Sequence, residues 1–220
     1  MEKKDILDAF YFRHACKIFD KTKKISEADF NTILEIGRLS PSSFGFEPWR
    51  FLVVQNEILR EKLLSVTWGA QQILPTASHY LVILARKKPT LLPQSDYITH
   101  MMYDIHKIPK EKAEARRSKY KKFVESDFKL IESERAFFDW ASKQCYIALG
   151  NMMSVAAMLG IDSCAIEGFN QAKLERIMQK EFSIETDIWG VSVMVAFGYR
   201  LNPQPVKTRQ PLNDIAKWYK

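Results

Sequence analysis

The stretch Ser40-Pro-Ser-Ser-Phe-Gly-Phe-Glu-Pro-Trp-Arg-Phe-Leu-Val-Val54 changes character partway along its length. Its first part holds two prolines, a glycine and three serines, which is the composition of a loop. The apolar run Trp49–Val54 that follows predicts a strand. Upstream, Ser26 with Asp29 three residues later predicts the start of a helix through an acidic variant of the capping box. The region therefore predicts a helix, a loop and a strand in succession.

Three further apolar runs predict strands, and helical patterns separate them at irregular intervals. The strands are predicted at His79–Ala85, Ile161–Glu167 and Val191–Phe197. Helices are predicted at Asp5–Phe12, weakly at Asp96–Lys129, at Arg135–Leu159 before Gly160, and from Asn170 to about Lys180. We also expect Pro89–Pro93 to break the chain and the proline-containing tail from Tyr199 to be extended. The irregular spacing predicts an α+β sandwich with a mostly antiparallel or mixed sheet.

The predicted helix Arg135–Leu159 is apolar on nearly every side. A helix with so little polar surface must be buried. In a protein of this size we expect it to contribute both to the core and to an interface between two copies of the chain. The sequence therefore predicts an obligate homodimer.

Length and composition limit the class of protein. A chain of 220 residues with 46% hydrophobic content can bury a large core, and we expect a single domain covering residues 1–220. No apolar run approaches the roughly 20 residues of a membrane span, and the N-terminus lacks a signal-peptide stretch. These features predict a cytoplasmic protein with no membrane partner.

The cysteines, the histidines and the net charge bear on metal binding and on nucleic-acid binding. Cys16, Cys145 and Cys164 have no CxxC spacing, so neither a zinc site nor a disulfide framework is indicated. The four histidines likewise predict no metal site. Much of the net charge of +7 comes from Lys107–Lys122, which holds eight Lys and Arg against two glutamates. We interpret this run as a solvated helix face, so that no nucleic acid is bound, with a basic nucleic-acid-binding module as the alternative.

Four short clusters, far apart in the chain, carry residues suited to a charged ligand. They are Arg13-His-Ala-Cys-Lys17, Ser40-Pro-Ser-Ser43, Ile166-Glu-Gly168 and Lys207-Thr-Arg209. Two supply cations, one supplies hydroxyls and backbone donors, and one is a turn whose glycine lets a ligand approach the backbone. No GxGxxG or GxxxxGK[ST] motif is present, so a Rossmann or P-loop site is not indicated. Together the clusters suit a planar cofactor that carries a phosphate.

These clusters occur in an order that resembles the oxygen-insensitive nitroreductase family. The same order includes Glu47-Pro-Trp-Arg-Phe51, Ala77-Ser-His79, Lys143-Gln144 and Gly150-Asn151. The resemblance covers nearly the whole chain and is weakest at residues 91–131. It implies a nitroreductase-like α/β/α sandwich in which two chains intertwine and bind two FMN molecules at their interface. It also implies that NADH or NADPH is the electron donor.

The resemblance assigns roles to individual residues around the flavin. The phosphate is held by Arg13, Lys207 and Arg209, with His14 and Ala15 in the same segment. Lys17 lies beside the pyrimidine edge, where an ammonium stabilises the negative charge of the reduced ring. Ile166, Glu167 and Gly168 form the turn under the reactive N5 edge, where a backbone amide matters more than the Glu167 carboxylate. Lys17 and the backbone of Glu167 and Gly168 are thus the expected catalytic groups.

The remaining expected contacts come from a loop and from amide side chains. Pro41, Ser42, Ser43 and Gly45 match the loop that reaches FMN from the partner subunit. Gln144 matches a residue near the ribityl chain, and Gln71 or Gln72 falls where the family has an amide near the pyrimidine. Some positions differ from the family pattern and bear on substrate preference and flavin potential, namely Ala15, Gly45, Glu47 and Ile73.

The predicted function follows from the resemblance. We expect an FMN-dependent oxidoreductase that uses NAD(P)H to reduce nitroaromatics, quinones or similar flat electrophiles by a ping-pong mechanism. Its partners are then a second copy of the chain and a small-molecule electron acceptor. Flavin destruction or dehalogenation on the same scaffold is the alternative reaction class.

Overall fold

The computed structural model describes residues 2–220, which form a four-stranded sheet with helices on both faces. The strands are β1 (Trp49–Val53), β2 (His79–Arg86), β3 (Asp162–Ile166) and β4 (Trp189–Gly198). Their order across the sheet is β1-β2-β4-β3, and every neighbouring pair is antiparallel. The predicted α+β class is confirmed, and the sheet is antiparallel rather than mixed. Strand β3 lies at an edge of the sheet.

Four predicted helices begin and end close to the expected positions, the weakly predicted Asp96–Lys129 is divided into two helices, and three further helices were not predicted. Residues 2–220 therefore contain nine α-helices. They are α1 (Lys3–Phe12), α2 (Glu27–Arg38), α3 (Glu57–Leu64), α4 (Lys88–Leu91), α5 (Asp96–His100), α6 (Lys110–Lys122), α7 (Glu134–Met158), α8 (Gln171–Phe182) and α9 (Leu212–Ile215). The expected caps form, because the side chains of Ser26 and Asn170 accept the amides of Asp29 and Lys173. Gly160 follows α7 with a φ of +71°, a left-handed conformation that glycine adopts without strain.

Short irregular segments complete the secondary structure. π-Helical segments continue α5 and α6 at Met101–Ile105 and Phe123–Asp127. Single 3₁₀ turns lie at Ser43–Gly45, Trp68–Ala70 and Leu130–Glu132. The turn Ser43–Gly45 is in the predicted loop between α2 and β1.

Two expectations for the region after β2 hold only in part. Pro89–Pro93 does not simply break the chain, since Pro89 lies in the first turn of α4, where a missing amide costs no helical hydrogen bond. The basic run Lys107–Lys122 is not wholly a solvated face either. Arg117 in α6 is only 5% exposed, and its guanidinium donates to the Pro93 carbonyl and to Thr99 Oγ1. These contacts join α6 to the segments that follow β2.

The core has two parts because the sheet is covered on both faces. Along β2, Leu81, Ile83 and Ala85 point to one cluster, and Tyr80, Val82 and Leu84 point to the other. Helices α2 and α7 cover the first cluster, for example through Ile33 and Met152. Helices α3 and α8 cover the second, for example through Leu63 and Leu174. A sheet buried on both faces explains the continuous apolar runs of its strands, and it confirms the α/β/α sandwich.

In the single chain, helix α7 is buried along one side only, and its expected burial against a second copy of the chain stays a prediction. Its residues Phe137, Trp140 and Cys145 are buried against the sheet. Tyr146 and Ile147 are 38% and 40% exposed. These side chains are exposed because the sheet, α1 and α2 of one chain cover only part of a helix that has apolar residues on every side.

The tail after Tyr199 is extended as predicted up to Pro211, where α9 follows, and it contacts other elements over its first part only. The Pro205 carbonyl lies 2.7 Å from His14 Nε2, and the Lys207 ammonium donates to the Phe10 carbonyl at 2.7 Å. Beyond Arg209 every residue is exposed, including Trp218 at 84%.

Candidate functional site

The open edge of β3 is bordered by the segment that follows α1. The Cys16 amide donates to the Ser163 carbonyl at 3.1 Å, and a single parallel bridge joins Ala15 to Ser163. Past this point no further strand pairs with β3 on that side within residues 2–220, and Ala165 is exposed. Four residue steps separate Ser163 from Glu167, which is roughly 13 Å at the usual rise of a strand. The edge can therefore hold an elongated ligand alongside the backbone.

Three cations gather where β3 begins. Lys207 donates to the carbonyls of Phe10 and Arg13, which brings the tail onto the end of α1. Burial lowers the pKa of the Lys207 ammonium, and the nearby charges of Arg209 and Arg13 lower it further. Arg13 in turn donates to Ser154 Oγ on α7 at 3.3 Å. Like charges held together in this way create a positive potential that favours a bound anion.

These cations and Lys17 are also free of acidic partners. Within the described chain, Arg13, Lys17, Lys207 and Arg209 form no ion pair with a carboxylate. The Lys17 ammonium has one weak contact, to Cys164 Sγ at 3.6 Å. Burial raises the pKa of the Cys164 thiol, so this sulfur stays neutral and is a poor acceptor. The charge of Lys17 is accordingly available to a ligand at the sheet edge.

The other end of β3 leads into a turn with unused backbone donors. The Phe169 amide donates to the Glu167 carbonyl and the Gly69 amide to the Gly168 carbonyl, both at 2.8 Å. The amides of Glu167 and Gly168 themselves find no backbone acceptor between residues 2 and 220. Two free amides next to an exposed edge are suited to bind the acceptor atoms of a ligand.

Gly168 is required in this turn because another backbone lies against it. A Cβ atom at position 168 would lie 2.8 Å from Gly69 Cα and 3.2 Å from Trp68 Cε3. The 3₁₀ turn Trp68–Ala70 therefore fixes the position of the two free amides. Trp68 itself is 76% exposed.

A second set of predicted site residues lies in the loop before β1. The Ser43 amide donates to Gln144 Oε1 at 2.9 Å, and Gln144 Nε2 donates to the Trp140 carbonyl at 3.1 Å. Gln144 is thus buried and holds the loop against α7. Phe44 and Gly45 have φ values of +58° and +67°, so the loop adopts an uncommon left-handed conformation.

Side chains from the region between β2 and α7 hold this conformation in place. His106 Nε2 lies 2.9 Å from the Gly45 carbonyl oxygen, and Arg116 donates to the Phe44 carbonyl. The Phe44 ring also contacts the ring of Tyr120 on α6, with centroids 5.0 Å apart. The region with the weakest resemblance therefore supports the predicted cofactor loop.

The structure brings the predicted residues together in two groups rather than one. Around the β3 edge lie Arg13, His14, Ala15, Lys17, Ile166, Glu167, Gly168, Lys207 and Arg209. Against α7 lies the loop with Pro41, Ser42, Ser43 and Gly45, which is joined to Gln144 of that helix through the Ser43 amide. No hydrogen bond joins the two groups in the part of the chain that the structure describes.

Gln71 and Gln72, the two candidates for the amide near the flavin pyrimidine, differ in their surroundings. Gln71 Nε2 donates to the carbonyls of Leu64 and Thr67, both at 2.9 Å, and so closes the end of α3. Gln72 is exposed. Both follow the turn Trp68–Ala70 that contacts Gly168.

Some residues that shape the site were missed in the sequence. Tyr146 donates its hydroxyl proton to Glu167 Oε1, Gly69 contacts Gly168, and His106 and Arg116 hold the loop. The apolar pattern of the sequence identifies Tyr146 only as part of a buried helix. No local pattern could have found these contacts, because each joins residues that are distant in sequence.

The described residues contain neither a candidate membrane-spanning helix nor a candidate metal-binding cluster. No helix among them combines the length and the apolar character needed to cross a membrane. No group of His, Cys, Asp and Glu side chains over the same range is arranged to hold a metal ion.

The unpaired cations, the open strand edge and the free amides define an α+β protein that can bind an elongated anionic ligand at the edge of its sheet. Comparison with known proteins gives the family. A sequence model described as the nitroreductase family matches residues 11–199. The chain therefore belongs to the nitroreductase family, as its resemblance predicted.

Relatives and solved structures agree with this assignment. A Bacillus subtilis relative that carries the name NAD(P)H nitroreductase YfkO is 52% identical over 98% of both chains. A Staphylococcus epidermidis relative, named NAD(P)H nitroreductase SERP2086, is 54% identical over 97% of this chain and 96% of its own. The structure of the nitroreductase ydfN from Bacillus subtilis superposes with a TM-score of 0.79 at 20% identity, covering 99% of this chain and 100% of that one. A nitroreductase of Exiguobacterium sibiricum, solved in complex with FMN, gives a TM-score of 0.77 at 23% identity over 100% and 99% of the two chains.

Proposed function

We propose that this chain is an FMN-dependent oxidoreductase that takes electrons from NADH or NADPH and reduces nitroaromatics, quinones or similar flat electrophiles by a ping-pong mechanism. The observation that carries the proposal is the arrangement of groups along β3, with unpaired cations near the start of the strand and free backbone amides at its end. The names of the relatives and the FMN complex of the Exiguobacterium neighbour support the same conclusion.

The residues at the start of β3 fit the phosphate end of FMN. Arg13, Lys207 and Arg209 are close enough for their charges to act on one another, yet none has a carboxylate partner in the described chain. A phosphate would relieve this repulsion and accept charge-assisted hydrogen bonds. The ring of His14, held between the carbonyls of Phe12 and Pro205, packs in the same segment.

The residues at the end of β3 fit the reactive end of the cofactor. When bound, FMN supplies hydride and electron transfer, so no side-chain nucleophile is required. The amides of Glu167 and Gly168 would donate to the acceptor atoms of the ring. Lys17 would place its positive charge beside the part of the ring that becomes negative on reduction, and so favour the reduced state.

We propose that the working unit is a homodimer. The loop with Ser42, Ser43 and Gly45 makes no hydrogen bond to the β3-edge group of its own chain, which suits a loop that completes the site of a partner. Helix α7 also leaves an apolar strip exposed along Tyr146, Ile147 and Met158, and a second copy is the simplest cover for it. A single domain over residues 1–220 and a cytoplasmic location remain predictions from the sequence.

Purification and flavin titration test the proposed function directly. We expect the protein to carry yellow FMN and to oxidise NADH or NADPH faster when a nitroaromatic or a quinone is added. Arg209→Ala should weaken FMN binding about 10-fold or more, because a charge-assisted contact is worth about 1.5 to 3 kcal/mol. Lys217→Ala removes a cation from the same exposed tail outside the site and serves as the matched control. Protein that neither carries FMN nor binds it in a titration would overturn the proposal.

A further inference from the structure

The Glu167 carboxylate is held by a residue of the long helix. The Tyr146 hydroxyl on α7 donates to Glu167 Oε1 across a separation of 21 residues. Burial raises the pKa of the Tyr146 phenol, and the carboxylate raises it further, so the hydroxyl remains a proton donor at neutral pH. Both side chains lie in the wall of a cavity of about 460 Å³. The contact is therefore a directed hydrogen bond at the border of the site.

The position of this carboxylate matters because its neighbours are free donors. The amides of Glu167 and Gly168 have no backbone acceptor within residues 2–220, and the Glu167 side chain starts from the same turn. A mobile carboxylate beside unpaired amides competes for them, since acidic side chains readily accept nearby backbone amides. It would also bring a negative charge towards the ring that becomes negative on reduction.

We propose that Tyr146 is a positioning residue that holds the Glu167 carboxylate towards α7. The two amides then stay free to bind the flavin, and the negative charge of the carboxylate stays away from the ring. This inference rests on the proposed function, because it assumes that FMN occupies the β3 edge. Tyr146 touches neither the reacting atoms nor the substrate in this role. Its effect on the flavin passes through the charge of Glu167.

The test compares flavin affinity and midpoint potential in variants of the purified holoenzyme. Tyr146→Phe removes the hydroxyl and keeps the ring, so the affinity for reduced FMN should fall more than the affinity for oxidised FMN. A tenfold difference between the two losses would appear as a midpoint potential lower by about 30 mV for this two-electron couple. In a Glu167→Gln background the same tyrosine change should leave the potential unchanged, because no carboxylate charge remains to be released.

Tyr103→Phe is the matched control. The Tyr103 hydroxyl also donates to a glutamate, Glu114 Oε1 at 3.0 Å, but in the region between β2 and α7. This variant should keep the wild-type potential. The control therefore separates the loss of any hydrogen bond between a tyrosine and a glutamate from the loss of the contact between Tyr146 and Glu167.

Other outcomes would overturn the inference. A wild-type potential in Tyr146→Phe, or an equal shift with and without the Glu167 carboxylate, would show that Tyr146 has only a structural role. If Tyr146→Phe does not fold, Glu167→Gln alone decides. If the carboxylate is held away from the ring, its loss in Glu167→Gln should leave the midpoint potential unchanged. A raised midpoint potential in Glu167→Gln would contradict the proposal. Wild-type protein that binds no FMN would refute the proposed function and this inference together, whereas bound FMN with an unaffected potential refutes the inference alone.

Discussion

Replacing Gly168 with alanine should both destabilise the chain and disturb the site. A Cβ atom there would lie 2.8 Å from Gly69 Cα and 2.9 Å from Gly69 N, distances at which backbone must move. Gly168 does not have a positive φ, so the expected cost is steric and does not come from backbone strain. Overpacking of this kind costs about 1 to 3 kcal/mol. The hydrogen bond from the Gly69 amide to the Gly168 carbonyl, 2.8 Å long, would weaken at the same time.

Urea denaturation and FMN titration measure the two effects of Gly168→Ala separately. We expect a lower midpoint of unfolding with an unchanged slope, and weaker FMN binding because the amides of Glu167 and Gly168 are displaced. Gly150→Ala on α7 is the comparison, since a Cβ there meets nothing within 4 Å and should not lower the stability of the folded chain. A Gly168→Ala protein with wild-type stability and wild-type FMN affinity would refute the close contact between the two turns.

Three further predictions concern charge. Lys17→Met should lower the midpoint potential of bound FMN by about 30 mV, or about 1.4 kcal/mol, and a spectroelectrochemical titration that finds no shift would place the lysine away from the ring. Asp162→Ala should cost about 2 to 4 kcal/mol in urea denaturation, because Asp162 is 2% exposed and its loss leaves Arg200 unpaired. The exposed pair of Asp139 and Arg135 provides the control, where Asp139→Ala should cost about 0.5 kcal/mol or less. Burial lowers the pKa of His79 from 6.5 to about 4, so the unfolded chain binds a proton in this window that the folded chain does not. The free energy of unfolding should then fall by on the order of 1 kcal/mol as the pH drops from 6.5 to 4, and His79→Gln should flatten this dependence in thermal unfolding.

The helices and strands could be predicted well where local chemistry decides them. Ser26 and Asn170 cap their helices because a side-chain oxygen next to a free amide suffices, whatever the rest of the fold does. At Pro89 the structure has a helix where a break is predicted, because proline is compatible with the first turn of a helix as well as with a break. Arg117 is buried where a solvated face is predicted, because composition cannot distinguish a solvated arginine from one that is buried and hydrogen-bonded.

The site was predicted in its residue types and only partly in its arrangement. The cations Arg13, Lys207 and Arg209 are predicted from short clusters, since side chains suited to bind a phosphate are chemically distinctive. Their mutual proximity depends on the tail folding back onto α1, through the contact between Lys207 and the Phe10 carbonyl. The family resemblance implies backbone donors at Glu167 and Gly168, but composition and spacing alone could not identify them, because every residue except proline carries an amide and only the fold leaves some of them unpaired.

The family, the positions of the strands and the residue types at the candidate flavin site could be predicted without the fold. These properties depend on local spacing, which the order of the residues contains directly. The fold alone shows that β3 has an open edge, that Gly69 contacts Gly168 and that Tyr146 donates to Glu167. Each of these features joins residues far apart in the chain. Their distances are set by how the sheet and α7 pack together, and that packing depends on the summed contacts of the whole core.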